Sequence, residues 1–160
     1  LTRSTALTRT IDYRLLSVSS QAFSDGSRIP SKYTCDGENI NPPLRIDDIP
    51  TDATSLAIIV DDPDAPIGTW SHWLTWNIPI THTVRENHQH GEEGLNDFLE
   101  NRYDGPCPHA GLHHYHFKVY ALDAQMILPG RTRQRDLEKA MAGHILAYGE
   151  LIGTYKRKGS

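Results

Sequence analysis

Residues 55–60 (SLAIIV) are almost wholly apolar and run straight into Asp61-Asp62-Pro63-Asp64-Ala65-Pro66. A run this short, apolar at nearly every position and stopped by two prolines, is the pattern of a buried central strand. The chain must build a sheet around it, with a carboxylate-rich loop at the strand's end. Residues 72–78 are strand-like and aromatic, closed by Pro79, and residues 113–122 form the clearest strand in the chain. Leu15, Leu16, Val18 and Phe23 suggest a first strand, ended by the Asp25-Gly26 turn signal. Residues 33–43 read as loop, because Asp36-Gly37 is a turn dipeptide and Pro42-Pro43 forbids a helix. Residues 80–102 are a long polar excursion, and 105–111 (GPCPHAG) a second Gly/Pro loop.

From 133 to 152 the period changes. Leu137, Met141, Ile145, Tyr148 and Ile152 recur at three- and four-residue spacing, which predicts one apolar helix face. Thr132 is placed to cap that helix and Gly153 to end it. Strands followed by one late helix predict a mainly β domain with a C-terminal helix, not alternating β/α units. Residues 1–12 read as a loose polar lead-in and 13–157 as a single domain.

A chain of 160 residues buries roughly 70% of its unfolded surface, enough to fold without a metal or disulfide. Its formal net charge of −4 argues against a nucleic-acid binder, which needs a basic face. No stretch approaches the ~20 apolar residues of a membrane span. Residues 1–10 lack the apolar core of a signal peptide, so a cytoplasmic location is expected. Cys35 and Cys107 lack the CxxC spacing of a zinc ribbon or thioredoxin-type site. They could bridge, but compartment grounds favour two reduced thiols.

The chemistry gathers where the loops meet strands. On the third strand, alternation puts His113, Tyr115, Phe117 and Val119 on one face and His114, His116, Lys118 and Tyr120 on the other. The HHYHF cluster is therefore not a three-histidine metal fan; His114 and His116 read as a solvated pair or an interface. By the same rule His72 shares a face with Leu74 and Trp76, and Trp73 and Thr75 point the other way. Trp70, Trp73 and Trp76 read first as core filling. A histidine beside a carboxylate is held more readily protonated. An imidazolium oriented by Asp62, the Tyr115 hydroxyl and backbone N–H groups of the Gly105 loop would make a compact anion cradle. An Asp-rich wall beside it could receive an ammonium group.

Several of these residues stand in motifs that resemble the phosphatidylethanolamine-binding proteins. They are Asp62-Pro63-Asp64-Ala65-Pro66, then Trp70, His72 and Trp73, then Gly105-Pro106-Cys107-Pro108, and Gly111-Leu112-His113 with Tyr115. TCDGEN at 34–39, NPPL at 41–44, VYALD at 119–123 and the closing GTY resemble the family's prokaryotic, Raf-kinase-inhibitor-like branch. The resemblance spans residues 15–155. It implies an antiparallel β-sheet sandwich and a small anion pocket built from Asp62, Trp70, His72, Gly105, Pro106, His113 and Tyr115. His109 stands where the branch commonly has a second proline, and His114 where it commonly has arginine.

The expected function is non-enzymatic binding of a phospholipid headgroup or another phosphorylated group, without cofactor or metal. A kinase or other signalling protein is a possible regulated partner, and a homodimer is compatible with the resemblance. The alternative is a metal-dependent or acid/base hydrolase using Asp62, Asp64, His72 and His113. Apart from Cys107, no nucleophile stands beside a base. A third reading is a regulatory protein that works through its surface.

Overall fold

The computed structural model describes residues 14–157; the proposed lead-in at 1–12 lies outside them. A six-stranded sheet runs in the order β1 (Arg14–Leu15), β9 (Ile145–Tyr155), β8 (His113–Leu122), β4 (Ser55–Asp62), β5 (Trp70–Ile78) and β7 (Glu92–Glu93). A three-stranded sheet follows the order β2 (Ser17–Ser19), β3 (Leu44–Asp47) and β6 (Thr83–Val84). A 3₁₀ turn covers Ser31–Tyr33, and the α-helix α1 covers Gln134–Met141.

As its composition requires, β4 is buried along its whole length and lies between β8 and β5, antiparallel to both. Its alternate side chains feed two cores. Leu56, Ile58 and Val60 join Phe117, Val119, Leu44, Ile46 and Val84, which closes the space between the two sheets. Ala57 and Ile59 join Leu74, Trp76, Leu137 and Met141, which seats α1 on the opposite face. The fold is thus mainly β: two sheets stacked face to face, with one helix behind the larger.

The C-terminal helix is much shorter than its spacing predicts. Gly143, two residues past the end of α1, takes a positive φ of 83°, a conformation open to glycine and closed to a continuing helix. Residues 145–155 then alternate with period two: Ala147, Gly149, Leu151, Gly153 and Tyr155 are buried. Gly153 does not end a helix but sits in β9, where a Cβ would meet Ile29 Cγ1 at 2.4 Å. The cap falls one residue after the expected one, on Arg133: Thr132 turns its hydroxyl to the Pro129 carbonyl, and the Arg133 N–H donates to Asp136. Phe23, read as part of the first strand, lies beyond β2 in the following loop and plugs the core.

The cysteines are bridged, contrary to the expectation of reduced thiols. Cys35 and Cys107 approach to 5.4 Å between Cα atoms and form a disulfide across 72 residues. What brings them together is the contact between two Gly/Pro loops, which sequence separation hides. The Gly105 N–H donates to Asn39 Oδ1, and the Tyr103 hydroxyl to the Tyr33 carbonyl.

Candidate functional site

At one end of the β4–β5–β8 sheet a cavity of about 240 Å³ opens between the two Asp/Pro- and Gly/Pro-rich loops. That is below the usual size of drug-binding pockets, so it suits a small group. Asp62, Trp70, His72, His113 and Tyr115 all line it, with Ala65, Pro66, Ile67, Phe98, Cys107, Pro108 and His109 completing the wall.

Asp62 is the last residue of β4 and has two fixed duties. One oxygen accepts the Asp64 N–H at 2.8 Å, which folds the Asp/Pro turn; the other accepts His113 Nδ1–H at 2.6 Å. Since Nδ1 faces the carboxylate, Nε2 is the nitrogen His113 offers elsewhere. Tyr115, two residues on along β8, stacks on the same side with 6.4 Å between ring centroids. Burial, followed by the Asp62 and Asp64 charges, pushes its phenol far above the ordinary range. Tyr115 therefore keeps its proton and remains a hydrogen-bond donor.

His72 reaches this face by breaking the alternation. Val60 pairs with Trp73 but Asp61 pairs with Ser71, so His72 is an extra residue in β5, a β-bulge. Its ring stands edge-on to Tyr115 at 5.3 Å and to Phe98 at 5.2 Å, away from the Leu74 and Trp76 face that alternation assigns to it. His72 Nδ1–H donates to the Asp104 carbonyl at 2.7 Å, so Nε2 is the nitrogen the ring offers elsewhere. Burial lowers its pKa, opposed by the carbonyls and carboxylates around it, so the fold favours the neutral ring.

Trp70 walls the mouth, edge-on to Phe98 at 5.6 Å, whereas Trp73 and Trp76 are buried in the two cores. Gly105 and Pro106 lie one layer back, buried, and Cys107–His109 form the wall in front of them. The Gly105 N–H is already taken by Asn39. Cys107 is the first residue of that loop to line the cavity, with Tyr115 in the same lining. Sequence reading overlooked Phe98 and Ile67. An isoleucine directly after the Asp/Pro turn, which the fold leaves 92% exposed, is a signal that could have found the second; nothing local marks the first.

Asp64 turns away from the cavity, accepting the His114 N–H and Nδ1–H at 2.9 and 2.7 Å. The four residues of the hydrolase alternative therefore do not converge. Among the described residues no group of three or more His, Cys, Asp or Glu is arranged to hold a metal. Cys107 is oxidised. His116 pairs with Glu150 at 2.8 Å, so it and His114 are each held by a carboxylate of their own.

A sandwich that is antiparallel apart from the β1–β9 pair, with a small acid–histidine–tyrosine cavity at one end of its sheet, defines a class of ligand-binding domain. The chain belongs to the phosphatidylethanolamine-binding protein family, whose model matches residues 19–156. It is 52% identical over 151 residues to a UPF0098 protein of Pyrococcus abyssi, covering 87% of this chain and 84% of that one. A second UPF0098 protein, from Pyrococcus horikoshii, is 50% identical over 150 residues, covering 87% and 76%. Among solved structures, a putative phosphatidylethanolamine-binding protein homologue from Chlamydia trachomatis superposes with a TM-score of 0.87. Its identity is 40%, with 91% of this chain and 99% of that one covered. YbcL of E. coli, described as a member of the mammalian family, gives a TM-score of 0.83 at 26% identity, covering 89% and 99%. No helix among the described residues is long and apolar enough to cross a membrane.

Proposed function

We propose that this chain, acting as one domain, is a non-enzymatic binder of a small phosphate-bearing anion. The phosphate group would belong to a phospholipid headgroup or another phosphorylated molecule. Asp62, Trp70, His72, His113 and Tyr115 form the site, and Gly105 and Pro106 support its back wall. The carrying observation is convergence: His72, His113 and Tyr115 meet on one cavity, and Asp62 holds His113 by Nδ1.

The hydrogen bonding adds a condition. His72 in its neutral form presents a bare Nε2, which accepts and does not donate. A phosphate oxygen can approach it only with a proton between them, carried by that nitrogen or by the phosphate. Binding therefore takes up protons, and affinity rises as pH falls toward the histidine range. The Tyr115 hydroxyl donates at either pH.

Thermal unfolding with and without phosphoethanolamine, near pH 6 and near pH 8, tests this. At ten times Kd a ligand adds about 1.4 kcal/mol, or about 3–6 °C for a chain of this size. The expected result is a shift in the wild type, larger near pH 6, and none in His72→Ala. No shift in any condition moves the function to the protein's surface. Turnover in a phosphatase and esterase panel, abolished by His113→Ala, replaces binding with hydrolysis.

A further inference from the structure

We infer that the Cys35–Cys107 disulfide is a redox gate on the cavity: reduction leaves the sheets folded but loosens one wall and weakens phosphate binding. The inference rests on the anion-binding reading above. Cys107 lines the cavity together with Pro108 and His109, in the same wall set as His72 and Tyr115. Its partner Cys35 is exposed, and accessible disulfides are the reducible, regulatory kind.

The bridge sits where the anchored part of the loop stops. Upstream, every residue is tied independently: the Tyr103 hydroxyl to the Tyr33 carbonyl, the Asp104 N–H to the His72 carbonyl, and the Gly105 N–H to Asn39. The Pro106 carbonyl accepts the Cys35 N–H at 3.1 Å. Downstream, among the described residues, no backbone–backbone hydrogen bond ties 107–112 to the rest of the chain. The next such link is the pairing of His113 with Tyr155. The disulfide is thus the tether of the Cys107–His109 wall. Cutting it leaves the His72 anchor on Asp104 in place and frees the wall opposite.

A dithiol reductant supplies the chemistry. Its thiolate attacks Cys35 Sγ, the S–S bond breaks, and Cys107 leaves as a thiolate that takes a proton. The second thiol of the reductant then attacks the mixed disulfide, releasing Cys35. Two electrons and two protons pass to the protein, and the dithiol becomes a disulfide.

The test compares oxidised protein, dithiothreitol-reduced protein and the Cys35→Ser/Cys107→Ser double variant. Calorimetric titration with inorganic phosphate reads affinity, limited proteolysis reads cleavage within residues 107–112, and amide hydrogen exchange reads β4 and β8. Expected are at least tenfold weaker phosphate binding and tenfold faster cleavage within 107–112 on reduction. The double variant should match the reduced protein and ignore dithiothreitol, β4 and β8 should stay protected, and reoxidation should restore binding. Equal affinity in oxidised and reduced protein overturns the gate, as does unchanged cleavage within 107–112. Loss of protection throughout β4 and β8 overturns it too, since the bridge is then a folding requirement. If the oxidised protein binds no phosphate, the anion-binding reading fails, and the cleavage result alone decides whether the wall is redox-sensitive.

Discussion

Replacing Gly105 by alanine tests how closely the cavity's two loops must approach. A Cβ there would lie 2.0 Å from the Tyr33 carbonyl oxygen and 2.9 Å from both Thr34 Cα and Asn39 Oδ1. The first two are backbone atoms, and neither side is free to yield. The Tyr33 carbonyl is held by the Tyr103 hydroxyl at 2.7 Å, and the disulfide closes the loops one residue beyond Thr34 and two beyond Gly105. Overpacking of this kind costs about 1–3 kcal/mol, and losing the Gly105–Asn39 hydrogen bond adds about 1 kcal/mol. The alanine's stiffer unfolded chain returns about 0.4–1 kcal/mol. A net loss of about 2–3 kcal/mol corresponds to a Tm lowered by roughly 4–12 °C in a domain of this size. Urea unfolding of the oxidised protein measures the first quantity and calorimetry the second. Phosphate affinity should fall with stability, because the Asp104 carbonyl that orients His72 is the neighbouring peptide group. A variant within about 0.5 kcal/mol of wild type, the range of a neutral surface change, would show that the two loops can part without loss. The close contact would then not be what shapes the back wall.

Three other outcomes follow from the same geometry. Chain entropy for a loop spanning 72 residues puts the loss in the Cys35→Ser/Cys107→Ser variant at up to about 4 kcal/mol; a Tm within about 2 °C of wild type would refute that account. His72 has a folded-state pKa below its unfolded value, so its contribution is complete above the unfolded value, about pH 6.5. It is lost as pH falls from there toward the folded value; urea stability without ligand should therefore fall between pH 7 and pH 5, and His72→Gln should flatten that slope. Asp61, with its side chain 2% exposed, is met by Lys118 Nζ at 2.8 Å and Gln134 Nε2 at 2.9 Å. Lys118→Met strands that carboxylate and should cost about 3 kcal/mol, whereas Arg45→Met at the exposed Arg45–Asp47 pair should leave stability nearly unchanged.

The strands around the middle of the sheet were readable because their side chains report burial directly. The apolar run at 55–60 could only be a strand covered on both faces, and β8 alternates as a strand with one face in the core. Residues 145–155 misled because both periods fit them. Ile145, Tyr148 and Ile152 suit a helix, while Ala147, Gly149, Leu151 and Gly153 suit a strand with small residues inward. What decides is the neighbour: Gly149 must let Leu16 O approach to 2.3 Å of where a Cβ would stand, and Gly153 must admit Ile29. Neither partner is local in sequence. The disulfide was hidden for the same reason. Phe98 belongs to the excursion after β5 and meets Trp70 and His72 only because Asn96 turns that segment, taking the His72 and Arg102 carbonyls with its side-chain amide.

The bulge at His72 shows where pattern reading stops and the site begins. Strict alternation would send this imidazole to the α1 side of the sheet, among Leu74 and Trp76, where it would find an apolar core. One extra residue against β4 sends His72 and Trp73 to the same side instead. Trp73 then roots in the inter-sheet core, its indole N–H on Glu93, and His72 takes the place beside Tyr115 at the open end. The carbonyl at the bulge is not left unpaired. The His72 carbonyl accepts from the Asn96 amide and the Asp104 N–H, while its ring donates to the Asp104 carbonyl. The irregularity is thus supported on both sides by the excursion and the Gly/Pro loop, elements that carry no strand pattern of their own. Periodicity finds the core because burial repeats; the cavity residue lies where the repeat is broken, and chemistry rather than pattern identifies it.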